Sequence, residues 1–134
     1  MNIFKDHKVA GVYGSVLPSA DATLIEWLAY FPGYFTSRKN ANKKKMGIMG
    51  NTNAIYRKEL WLKHHFDESY VDGGEDGEWA YYFIERGYNI IQDPRFGVYH
   101  SHGLWLFKYM KQRKNWQRVA DKFIKQYQKN ETRD

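Results

Sequence analysis

The segment over 73–92, GGEDGEWAYYFIERGYNIIQ, constrains the fold more than any other part of the sequence. Gly73 and Gly74 open it, the carboxylates of Glu75, Asp76 and Glu78 fall in one turn, and Gly87 is placed as a C-cap glycine. The spacing predicts a helix over 75–86 with Trp79, Ala80, Phe83 and Ile84 on its buried face. A strand over 88–92 follows directly, then an Asp93-Pro94 turn and a second strand over 96–100. A helix that passes straight into strands calls for a sheet with helices laid against it.

The rest of the chain extends that pattern. Residues 9–17 (VAGVYGSVL) read as a strand, with glycines that admit close backbone approach. Asp21 is the expected N-cap of a helix running to Tyr30, with Leu24, Ile25, Leu28 and Ala29 at helical spacing. Pro32-Gly33 closes it, and 36–47 is expected to be a polar, basic loop, too long for a simple connection. A short apolar segment over 48–57 carries Gly50, Asn51 and Asn53, and a helical turn is expected over 58–65. An amphipathic helix over 104–129 ends the chain, with Trp116, Val119, Ala120, Phe123, Ile124 and Tyr127 facing the core. At 134 residues this reads as a single domain of α/β or α+β class, a sheet with helices.

Composition narrows the function. Hydrophobic residues make up 43% and aromatics 18%, too much for a disordered chain. The absence of cysteine excludes disulfides, thiolate zinc sites and cysteine nucleophiles, and fits a reducing compartment. No run approaches the roughly 18 apolar residues of a membrane span, and MNIFKDHK is not a signal peptide. The expected location is cytoplasmic, with the inner face of the membrane as a place of peripheral attachment. Lys+Arg number 21 against 15 Asp+Glu, and the resulting +6 suggests an anionic partner.

That charge is segregated. Residues 38–45 (RKNANKKK) carry five cations and no anion, and 108–129 carry eight cations against Asp121 alone. Between them lie Asp67, Glu68, Asp72, Glu75, Asp76 and Glu78. Within this acidic island, Glu78 reads as a carboxylate favoured by the helix dipole. Asp76, presented beside flexible glycines, suits a general base. His100 and His102 stand at i, i+2 at a strand end, a spacing that serves either metal ligation or polar termination of the strand. His7, His64 and His65 read as surface or packing histidines.

Four segments, in this order, resemble the C-terminal half of a family 2 glycosyltransferase of the bacterial rhamnosyltransferase-like kind. They are GVYGSVLPSADA (11–22), GNTNAIYRKELW (50–61), FDESYVDGGEDGEWAYYFIERGYNI (66–90) and DPRFGVYHSHG (93–103). The resemblance implies a partial GT-A fold, a mixed sheet flanked by helices without the N-terminal nucleotide-binding half. It implies transfer of a sugar from a nucleotide-diphosphate donor to an acceptor hydroxyl with inversion, in cell-surface polysaccharide assembly. Asp76 is then the general base and Glu75 shapes the pocket. Gly50, Asn51, Asn53, Arg57 and Trp79 contact substrate, and His100 and His102 complete a site for a divalent metal, Mn²⁺ or Mg²⁺. The expected partners are the nucleotide-sugar donor and a saccharide or lipid-linked acceptor, with no specific nucleic acid.

The family's DxD motif is missing: Asp6, Asp21, Asp67, Asp72, Asp76, Asp93, Asp121 and Asp134 never fall two apart. The expectation is therefore a fragment that needs a second copy or a partner chain carrying the DxD half. Two further readings stand beside it. One is a non-catalytic module that binds a polyanion or a membrane surface through the basic loop and tail helix. The other is a metal-dependent hydrolase built on Glu75, Asp76, His100 and His102.

Overall fold

The structure is a computed structural model that describes residues 3–30, 39–40, 49–71 and 73–131. The expected basic loop over 36–47 lies outside the described residues except for 39–40. Strand β1 (Val9–Tyr13) is central and almost wholly buried. It pairs parallel with β5 (Asn89–Gln92) on one side and antiparallel with β4 (Ala54–Tyr56) on the other. β3 (Lys39–Asn40) adds antiparallel to β5, giving a mixed sheet of order β3-β5-β1-β4. A second, two-stranded parallel sheet joins β2 (Val16–Leu17) to β6 (Val98–Tyr99).

The strand expected over 9–17 is thus two strands in two sheets. Ser15 makes the break: its carbonyl accepts from Val98 N at 2.9 Å and from Asn53 Nδ2 at 3.2 Å, while Gly14 N donates to Asn53 O at 3.1 Å. Gly11 provides the close approach expected of it, since a Cβ there would lie 3.0 Å from Met49 Cε.

Helix α3 (Glu75–Glu85) forms where expected and ends at Gly87, whose φ of +81° only glycine adopts without strain. It lays Trp79, Ala80 and Phe83 against Ala10 and Ile90 of the sheet. The long α4 (Leu106–Glu131) packs its second half on α3 through Val119, Ala120, Phe123, Ile124 and Tyr127. A smaller cluster of Ile3, Val9, Val12 and Ile91 covers the other face of the sheet. The short α2 (Lys58–Trp61) closes the core with Leu60.

Helix α1 (Leu24–Tyr30) reverses its expected polarity. Leu24 and Leu28 are exposed, whereas Glu26 is fully buried. The N-cap is Thr23 and not Asp21. Thr23 Oγ1 accepts from Glu26 N at 3.4 Å, and a Glu26 carboxylate oxygen accepts from Thr23 N at 3.1 Å, a reciprocal capping box. The other Glu26 oxygen accepts from His102 N at 2.9 Å and Leu104 N at 3.3 Å. Burial pushes this carboxyl up, but the N–H groups of Thr23, His102 and Leu104 outweigh it and hold it below the ordinary glutamate value.

Glu78 is likewise no exposed dipole partner. It is buried, accepts from Tyr127 Oη, and pairs with His64 Nε2 at 3.1 Å. His64 in turn stacks on Tyr82, with ring centroids 3.7 Å apart. One carboxylate therefore ties α3, α4 and the turn after α2 together. That cross-tie leaves the N-terminal turn of α3 fixed in place beside the cleft.

Candidate functional site

A cleft of about 590 Å³ opens where the N-terminus of α3, the Gly50–Thr52 turn, the segment after β6 and the middle of α4 meet. Gly73 (φ +85°) and Gly74 (φ +108°) bring the chain into it. A Cβ on Gly74 would sit 2.4 Å from Val119 Cγ1, so that glycine also permits the contact between α3 and α4.

Asp76 is the best-held group in the cleft. Oδ2 accepts from Asn51 N and Oδ1 from Gly77 N, both at 2.7 Å. Burial raises its carboxyl above the ordinary aspartate value, against the lowering pull of those two N–H groups, and the Glu75 carboxylate adds to the rise. A partly desolvated carboxylate fixed by two backbone donors is a stronger base than a solvated one and keeps its orientation. Asn51 is itself placed by Tyr56 Oη, which donates to its Oδ1 at 3.0 Å. Burial, followed by the charges of Asp76 and Glu75, pushes the Tyr56 phenol well above its usual range, so it stays a donor.

His100 and His102 line the opposite wall. Their Nε2 atoms are 3.3 Å apart and the rings stand at 85° to one another. The same distance suits two imidazoles on one divalent ion, since ligands at about 2.0–2.1 Å from a tetrahedral ion lie roughly 3.3 Å from each other. Among the described residues no third His, Cys, Asp or Glu joins them in a group. The backbone geometry is set from below by Glu26, which holds His102 N and Leu104 N.

Of the residues singled out by sequence, Gly50, Asn51, Glu75, Asp76, His100 and His102 meet in this cleft. Asn53, Arg57 and Trp79 are not among its lining residues. Asn53 ties its turn to Ser15. Arg57 spends its guanidinium on the carbonyls of Val9, Phe4 and Asp6 and on Glu59, pinning the N-terminal segment to β4. Trp79 is fully buried in the core, with Nε1 donating to His64 O at 2.8 Å. Conversely, α4 contributes Arg113, Trp116 and Gln117 to the wall. Trp116 lies 6.5 Å from the His102 ring, centroid to centroid, and is partly exposed instead of core-facing. The signal for these three was available: in a basic helix, Trp116 precedes the buried series by one turn.

No protein family, curated protein or solved structure matches the chain. The chemistry of the cleft rests on its own residues. It combines an oriented carboxylate base, an imidazole pair, one guanidinium and an aromatic face.

Proposed function

We propose that this cleft is the acceptor and base side of an inverting glycosyltransferase with a partial GT-A fold, acting on a nucleotide-diphosphate sugar. The observation that carries the reading is Asp76, a carboxylate held by Asn51 N and Gly77 N on the wall of a cleft that His100 and His102 also line, its pKa raised by burial. Asp76 accepts the proton of the acceptor hydroxyl as its oxygen attacks the anomeric carbon, and the diphosphate leaves from the opposite face. His100 and His102 would hold a divalent ion, which supplies charge neutralisation to the departing diphosphate. Arg113 adds a fixed cation on the same wall, and Trp116 offers a flat apolar face of the kind on which a sugar ring packs.

Residues 1–134 contain no DxD pair, so the donor nucleotide is expected to need a DxD-bearing segment from outside them. Calorimetric titration of the chain with UDP and dTDP, with and without Mn²⁺, tests the reading. Metal-dependent binding that is lost in His100→Ala and His102→Ala supports it. Binding of Mn²⁺ without any nucleotide, together with hydrolysis of a sugar ester, would support the metal-dependent hydrolase instead. Failure of the folded chain to bind nucleotide even beside a DxD-bearing partner overturns the transferase reading.

A further inference from the structure

We infer that the first turns of α4, with the adjoining face of α1, form a docking surface for an anionic lipid bilayer. The surface is independent of the sugar-transfer reading. Trp105 is 73% and Phe107 88% exposed, and Leu106 and Met110 are exposed beside them. On the neighbouring α1, Leu24 is 72% and Leu28 65% exposed. The two elements are fastened together at this end, because Thr23 Oγ1 donates to Leu104 O at 2.8 Å and Glu26 accepts from Leu104 N at 3.3 Å.

The direction of these side chains decides the matter. Val119, Phe123 and Tyr127 turn one side of α4 toward α3. At a helical repeat of about 100° per residue, Phe107, Met110, Lys111 and Lys114 fall on the opposite side. Phe107 and Met110 therefore point away from the side of α4 that packs on α3, and exposed lysines follow them within two turns. No acidic residue occurs anywhere over 104–120. Tryptophan, phenylalanine and leucine beside lysines on an exposed face match the acyl-headgroup boundary of an anionic membrane. The charge pattern selects this occupant over a neutral protein surface. No helix among the described residues is long and apolar enough to cross a membrane, so contact is with the surface.

The test is co-sedimentation of the full chain with vesicles of phosphatidylcholine alone or of equal parts phosphatidylcholine and phosphatidylglycerol. Binding is expected to the anionic vesicles only and to fall steeply with salt. Lys111→Gln with Lys114→Gln should weaken it by about 25–30-fold, on the order of fivefold per charge removed. Trp105→Ser with Phe107→Ser should weaken it by a comparable factor through lost apolar burial, while circular dichroism stays that of the parent. Equal binding to both vesicle types, or anionic binding untouched by either pair of substitutions, overturns the proposal. So does a concentration-dependent dimer that forms without vesicles and is abolished by the same substitutions, which would make a second copy the occupant.

Discussion

Replacement of Glu26 by alanine should cost far more than its place in a seven-residue helix suggests. The carboxylate is 0% exposed and accepts N–H donors from two separate parts of the chain. Loss of the capping box alone removes about 1 kcal/mol. His102 N and Leu104 N also lose a charged acceptor, each at about 1.5 kcal/mol. The expected destabilisation is about 4 kcal/mol at neutral pH, read from urea unfolding followed by circular dichroism. Glu26→Gln, which keeps one acceptor oxygen, should recover roughly half.

The pH dependence provides an independent signature. The folded Glu26 carboxyl lies below its ordinary value of 4.5, so its stabilisation is complete above that value and lost as pH falls through the folded one. The gap between parent and Glu26→Ala should therefore be full at neutral pH and shrink in the acid range. A gap below about 1 kcal/mol, or one that does not change with pH, would refute the assignment of Glu26 as the charged anchor of the segment after β6.

Three other outcomes are expected. Gly74→Ala should destabilise by about 2–4 kcal/mol, from the positive φ and the clash with Val119, and the clash share should vanish in Gly74→Ala/Val119→Ala by a double-mutant cycle. Tyr127→Phe leaves Glu78 short of a donor and should cost about 1.5–3 kcal/mol in thermal or urea unfolding. Asp76→Asn should lower transfer by about 10²–10⁴-fold with the fold intact. In the parent, the acid limb of kcat/KM should fall with an apparent pKa above the ordinary 3.8, because the base must be ionised to act and burial raises its pKa.

Much of the architecture was legible where local chemistry and tertiary contacts agree. Helix α3 is bounded by glycines that the backbone needs, and its apolar spacing is the spacing that meets the sheet. Asp76 was singled out beside the flexible glycines Gly73 and Gly74, and all three line the cleft. The reading failed where a polar side chain is satisfied by a distant part of the chain. Nothing near Glu26 in sequence announces that residues 102–104 will bind its carboxylate, so Leu24 and Leu28 were the natural candidates for burial. The resemblance put Arg57 beside the substrate, and its actual partners, Phe4 and Asp6, lie some fifty residues away in sequence. Trp79 served two expectations at once, core and pocket, and a helix can turn a given side chain to only one of them.

The sequence separations of the contacts around the cleft predict an order of assembly. Asp76 meets Asn51 across 25 positions, and Glu78 meets His64 across 14. By contrast, Ser19 meets Ser101 across 82 positions and Glu26 meets His102 across 76. Closing loops of such different length separates the two walls of the cleft in time. During synthesis the contacts of Asp76 with Asn51 and of Glu78 with His64 can form while the imidazole wall is still unmade, but the tie from Glu78 to Tyr127 waits for α4. Until residues 98–104 emerge, β2 has no strand beside it and the Glu26 carboxylate lacks half its donors. The cleft is therefore complete only when the last third of the chain folds back on the first, and a lesion at that seam would show itself first as a folding defect.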